Sequence, residues 1–262
     1  TVDLPLKCVF MKALSEPSGW KDKYTGSYWR TDHSYAYYYG FKRTDNWSYS
    51  ANSDVSYDYL ICSDGTNEKA VILQAYFPST KQEGRVVALS LPETIDGIAL
   101  ETIGVRAFEN ATYPNIIYMG NIKDIRDYAF HNCQNLSIVE FGAGLKTVGN
   151  YAFKGCALTT VVGELNDGST AGIETIGDYA FAQNNLESFP FGDNLTSIGK
   201  YAFEYNKLHE VNIPDSLEIL GKGTFQYNRI QILNFGTNNK LRVIPDDTFS
   251  CNRIIVSDNK TF

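Results

Sequence analysis

The sequence predicts an α/β-type repeat solenoid with short parallel strands on one face, turn and short-helix crossings on the other, and an N-terminal β cap. Three observations predict it: a hexapeptide recurring along most of the chain, a fixed apolar frame between its copies, and alternating runs around an Asp-Gly turn ahead of them.

The hexapeptide Ile176-Gly-Asp-Tyr-Ala-Phe181 returns at 103–108, 125–130, 148–153, 198–203, 220–225 and, degraded, at 244–249. Its closing phenylalanines stand at 108, 130, 153, 181, 203, 225 and 249, mostly 22 to 24 residues apart. Between copies the frame is Leu136, Val139, Phe141, Leu145, Val148 in one unit and Leu208, Val211, Ile213, Leu217, Leu220 in another. So small a unit cannot bury its own apolar face, so the units must stack and share one core.

Within a unit, the V-x-F pair has the two-residue period of a strand, which turns Val211 and Ile213 inward and Glu210 and Asn212 outward. The I-G-x-x-A-F stretch lacks that alternation and is expected to form a turn and a short helical crossing, with a backbone bend at the glycine. The polar insertion Gly163 to Gly172 should bulge as a surface loop, and Gly236 to Lys240 as a smaller one. Ahead of the repeats, Tyr59 to Cys62, the polar turn Ser63 to Lys69 and Ala70 to Tyr76 read as a hairpin that covers the open end of the stack. The expected divisions are 1–58, an aromatic-rich segment of β character; 59–100, the cap and an irregular first repeat; and 101–262, the repeats.

These units resemble the BspA-type leucine-rich repeats, a family of bacterial and protozoan surface proteins with the same I-G-x-x-A-F-x-x-C/N block. The likeness covers about residues 59 to 256, and the front end also looks like that family's cap. The resemblance implies a leucine-rich-repeat arc displayed extracellularly at a bacterial cell surface, where it serves adhesion by binding host matrix proteins or neighbouring cells. It carries no residue-level binding motif.

Composition narrows the partners. A net charge of −7, a pI near 5.0 and scattered Lys and Arg disfavour nucleic acid. No run approaches the ~20 apolar residues of a membrane-spanning helix. The N-terminus lacks the layout of a secretion signal, so an exported protein would be a trimmed product. The expected partner is an extracellular protein or glycan.

Catalysis, cofactors and metals are not expected. The histidines His33, His131 and His209 fall in different surroundings, and no G-x-S-x-G elbow occurs. Gly142-Ala-Gly144 before Lys146-Thr147 lacks the junction of a phosphate loop. Asp64-Gly65 and Asp167-Gly168 lack the alternating ligands of a calcium loop. Cys8, Cys62, Cys133, Cys156 and Cys251 contain no C-x-x-C pair. Cys133 and Cys156 share a repeat position with Asn184, Asn206, Asn228 and Asn252, either as a buried ladder bonding turn backbone or with a Cys133–Cys156 disulfide. For Cys8 and Cys62, a disulfide and two free thiols both stay open.

The outward strand positions form the candidate ligand-binding surface: Ile138, Glu140, Thr160, Val162, Ser188, Pro190, Glu210, Asn212, Ile232 and Asn234. Tyr128, Tyr151, Tyr179 and Tyr201 share one position in four consecutive units, as a packed wall or a contact patch. The aromatics of residues 1–58, among them Trp20, Trp29 and Tyr37 to Tyr39, offer an alternative: a glycan platform with the repeats as spacer, against ordinary strand structure.

Overall fold

The computed structural model describes residues 8–11, 36–39, 41–42, 48–52, 55–63, 67–77, 87–163 and 172–254. The insertion at 164–171, the hairpin tip at 64–66 and most of the N-terminal aromatics lie outside the described residues.

The units stack as rungs around one core, in which nearly all the inward Leu, Val, Ile and Phe are buried as far as Phe225 and those of the last rung are partly buried. Phe108, Phe130, Phe153, Phe181, Phe203, Phe225 and Phe249 form its spine, with ring centroids 4.7, 4.9, 5.2, 5.3, 5.6 and 5.5 Å apart. That step is the spacing of hydrogen-bonded strands, about 4.8 Å, so the rings repeat in register with the backbone.

The V-x-F segments form the predicted parallel ladder: Ala88–Ser90, Ile116–Tyr118, Ile138–Glu140 and Thr160–Val162, then separately Glu210–Ile213 with Ile232–Phe235. The break between them falls at the rung of Ser188 and Pro190, which is not a strand, contrary to expectation. Pro190 has no N–H for a ladder, and Phe191 N turns back onto Phe189 O at 3.0 Å.

Strands also occur on a second side, which the sequence did not foretell. Asp124–Ile125, Thr147–Val148, Thr175–Ile176, Ser197–Ile198 and Ile219–Leu220 pair in parallel behind Ile98–Ile103. Two residues are too few to show a period. At its N-terminal end this sheet continues into Glu68–Tyr76, parallel to Ile98–Ile103, and Val55–Ser63, antiparallel to Glu68–Tyr76. Val55–Ser63 runs across the division drawn at residue 58, with Phe41–Lys42 and Ser48–Asn52 paired to it. Ala36–Tyr39, a strand as its tyrosines suggest, pairs with Cys8–Met11.

The expected helical crossings are absent: no helix occurs among the described residues. Two residues per crossing, four apart, adopt left-handed backbone: Tyr128 and Asn132 (φ 58° and 60°), Tyr201 and Tyr205 (φ 55° and 54°). A right-handed helix cannot pass through them. Alternate amides instead reach the next rung, Tyr128 N to Asn150 O at 2.9 Å and Phe130 N to Ala152 O at 2.7 Å, while Ala129 N and His131 N close turns onto Arg126 O and Tyr128 O. The expected bend at the I-G glycine is likewise displaced to the tyrosine. Gly199 is needed for approach, since a Cβ there would lie 2.5 Å from Asp178 N of the preceding rung.

The shared Asn/Cys position is a buried ladder. Asn206 Nδ2 donates to Phe181 O and Phe203 O at 2.9 and 3.1 Å, and its Oδ1 accepts Leu186 N at 3.1 Å. Cys133 and Cys156 donate in the same direction, to Phe108 O and Phe130 O, each at 3.0 Å. Their thiols are free, as is that of Cys62, so neither the Cys133–Cys156 nor the Cys8–Cys62 disulfide forms. Parallel side chains aimed at carbonyls do not meet the torsion a disulfide requires.

Candidate binding surfaces

The strand ladder puts the predicted face in solvent. Glu140, Thr160, Ser188, Glu210, Asn212, Ile232 and Asn234 are exposed; Ile138, Val162 and Pro190 are half-buried. Their inward neighbours Val139 and Val211 are completely buried, so alternation holds on both halves of the ladder. The first half mixes apolar Ile116, Tyr118, Ile138 and Val162 with Ser90, Glu140 and Thr160 on adjacent strands. The second is polar: Asn234 Nδ2 donates to Asn212 Oδ1 at 2.8 Å and to Glu210 Oε1 at 3.1 Å.

Tyr128, Tyr151, Tyr179 and Tyr201 form a column on the crossing side, with centroids 4.7, 4.9 and 5.0 Å apart. Its ends are closed. Arg106 places its guanidinium 4.5 Å from the Tyr128 centroid, and Gly223 receives the Tyr201 ring so closely that a Cβ would lie 2.3 Å from Cε1. Sugar recognition uses ring faces, and every face in this column is occupied, so only edges and hydroxyls remain for contact. Burial pushes the Tyr128 hydroxyl up to about 12 and raises Tyr151 and Tyr179 in the same direction.

Sequence reasoning passed over Tyr205 and Tyr227, which stack at 4.4 Å and are 48% and 40% exposed. The signal was present, since F-x-Y-N occurs in two consecutive units, 203–206 and 225–228.

His131 Nδ1 lies 3.2 Å from Glu109 Oε1, a carboxylate also held by Arg106 at 2.6 Å, and the ring packs edge-on against Tyr128. His209 stands exposed on another rung, and His33 lies outside the described residues. Among the described residues no group of three or more His, Cys, Asp or Glu is arranged to hold a metal, and no helix is long and apolar enough to cross a membrane. A groove of about 670 Å³ opens between Glu218-Ile219 and Asn239 to Arg242. It lies where Ile219–Leu220 ends the second ladder and Pro245, standing in the glycine slot of the next rung, has no N–H to extend it.

The chain matches the BspA type leucine rich repeat region in six copies, over residues 89–167 and 170–258. No curated protein matches it. Among solved structures it is similar to a leucine rich cell surface protein from Faecalibacterium prausnitzii: 18% identity over 72% of this chain and 55% of that one, TM-score 0.39. It is also similar to a leucine rich repeat protein of T. pallidum, at 18% identity over 71% and 88% of the two chains, TM-score 0.44. For the pneumococcal vaccine antigen PcpA the figures are 16% identity, 75% and 52%, and TM-score 0.46. The chain thus spans about half the length of the F. prausnitzii and pneumococcal proteins. Six matched copies covering well over half the sequence, with their Phe, Asn and Ile positions stacked as columns, make this chain a member of the BspA-type leucine-rich-repeat family.

Proposed function

We propose that the chain is a non-catalytic binding module of the cell surface, which holds a host or neighbouring-cell macromolecule against its outward strand face. One observation carries this reading. The outward positions of successive rungs lie in register and in solvent while their inward neighbours are sealed in the core, so the face can vary without disturbing the fold. The apolar stretch around Tyr118 and Ile138 beside the polar cluster of Glu210, Asn212 and Asn234 suits a protein ligand, which needs both a desolvated centre and a polar rim. The hairpin Val55–Ser63 and Glu68–Tyr76 acts as the cap that closes the first rung.

The test is adhesion of the purified chain to immobilised extracellular-matrix protein and to bacterial cells, with and without the combined substitution Glu140→Ala, Glu210→Ala, Asn212→Ala. These side chains contribute no core packing, so circular dichroism and melting should stay unchanged while binding falls by about tenfold or more, near 1.4 kcal/mol. Undiminished binding by the folded variant would remove the strand face from the account.

A further inference from the structure

We propose that the corner of the last three rungs, where Tyr205 and Tyr227 stand beside Lys207, Arg229 and Arg253, binds a linear anionic polysaccharide, a sulfated or uronate glycan lying along the solenoid axis. The sequence repeats there as F-E-Y-N-K at 203–207, F-Q-Y-N-R at 225–229 and F-S-C-N-R at 249–253. The cationic positions are in register. Lys207 N donates to Leu186 O, Arg229 N to Leu208 O and Arg253 N to Ile230 O, at 2.9, 3.1 and 3.1 Å. One cation therefore follows the next at each rung.

These charges are unspent. Arg106, Lys123, Lys146, Lys222 and Lys240 each pair with a carboxylate. Lys207, Arg229 and Arg253 make no ion pair among the described residues, and both arginines are exposed. Across 203–209, 225–231 and 249–254 the one acidic residue is Glu204, which is half-buried. A chain of net charge −7 thus carries a local basic edge.

Nor does the fold require these residues. Earlier rungs have Thr112, Gln134, Ala157 and Asn185 at the cationic position, and Asn185 N follows the same backbone path, onto Leu158 O at 2.8 Å. At the aromatic position they have Asn110, Asn132, Gly155 and Gln183, all at positive φ like Tyr205 and Tyr227. A bulky ring in left-handed backbone is disfavoured relative to Asn or Gly, and at 48% and 40% exposure burial offsets little of that cost.

The step between rungs selects the ligand class. The backbone positions that carry the cations recur at the strand spacing of about 4.8 Å, whereas an extended acidic peptide shows side chains on one face only every ~6.6 Å. The rung step is close to the length of one pyranose, so a glycan charged on successive sugars keeps register with all three cations. The Tyr205–Tyr227 pair supplies an apolar ledge and hydroxyls for sugar rings. This corner precedes the strands Glu210–Ile213 and Ile232–Phe235 and does not depend on the strand-face reading.

The experiment is binding of the full chain to immobilised dextran sulfate at about 0.15 M salt, with neutral dextran, polyglutamate and single-stranded DNA as competitors. The variant Lys207→Gln, Arg229→Gln, Arg253→Gln is set against the equally charged control Lys123→Gln, Lys146→Gln, Lys240→Gln. The expected result is binding that only dextran sulfate competes, a loss of about tenfold or more in the corner variant, and little change in the control. Tyr205→Ser with Tyr227→Ser should weaken it severalfold. Absence of binding by the native chain, equal losses in both charge variants, or competition by polyglutamate or DNA as strong as by dextran sulfate each overturns the proposal. The Glu140, Glu210, Asn212 variant should bind dextran sulfate normally, so failure of one site is distinguishable from failure of the other.

Discussion

Replacing Asn206 by alanine removes a side chain that ties two rungs together from inside the core. Leu186 N–H, buried with the residue, loses the Oδ1 it donates to at 3.1 Å; an orphaned buried amide costs about 1–3 kcal/mol. Phe181 O and Phe203 O lose one donor each but keep Asn184 at 3.0 Å and Asn228 at 2.8 Å, so each adds only about 0.5–1 kcal/mol. The expected total is about 3 kcal/mol, which for a chain of this size lowers Tm by roughly 10 °C. Asn206→Cys should cost about half as much. A thiol can still donate to Phe181 O, as Cys156 does to Phe130 O, and its sulfur is a weak acceptor for Leu186 N. Urea unfolding followed by circular dichroism gives the energies, and hydrogen exchange at Leu186 gives the site. An alanine variant within about 0.5 kcal/mol of the parent, or a cysteine variant worse than alanine, refutes the ladder as a load shared by hydrogen bonds.

Gly199→Ala should destabilise by about 1–3 kcal/mol, because its Cβ meets Asp178 N at 2.5 Å, whereas Gly144→Ala, whose nearest neighbour is Lys123 Cγ at 3.8 Å, should be nearly neutral; urea midpoints of the two decide it. Iodoacetamide at about pH 8 should label Cys251 in the folded chain but reach Cys62, Cys133 and Cys156 only after unfolding, since all three are buried, burial pushes the Cys62 thiol up to about 11, and the neighbouring Cys156 thiol together with burial raises Cys133; peptide mass spectrometry reads this out. Tyr128 holds its proton more tightly folded, at about 12, than at the ordinary 10.0, so its contribution to stability is complete below pH 10 and is lost as pH rises from 10 through 12. Tyr128→Phe should therefore flatten the fall in Tm between about pH 10 and 12, and an unchanged slope would exclude Tyr128 as its source.

What the sequence disclosed followed from burial. Val139, Val211 and the closing phenylalanines from Phe108 to Phe225 are sealed because water must be kept from them, and that demand is written as spacing. The asparagine ladder was legible for a related reason: a polar residue at a fixed place among apolar ones must have found partners. The crossings were not legible. Ala and Phe are ordinary helix residues, and nothing in Tyr128 or Tyr201 announces left-handed backbone, which is held by carbonyls of the next rung rather than by local preference. Outward positions of the strand face could be read from alternation, except at Pro190, where a missing N–H breaks the ladder. The basic corner needed the register of three rungs before Lys207, Arg229 and Arg253 became one feature.

Those same crossings decide the shape offered to a ligand. A repeat protein bends into a deep arc when bulky elements on one side hold rungs farther apart than the strands on the other. Here the crossing side is hydrogen-bonded rung to rung, as in Phe130 N to Ala152 O at 2.7 Å and Phe153 N to Ala180 O at 2.7 Å. The tyrosine column keeps 4.7 to 5.0 Å per step, which is the strand spacing of about 4.8 Å to within a few tenths. Over these four rungs the crossing side therefore steps as a ladder of paired strands does. A macromolecule held on the strand face, as proposed, would touch several rungs, and each outward column then acts as a row of regularly spaced contacts. Substituting one position should consequently weaken binding little, and substituting one column across three rungs should weaken it steeply.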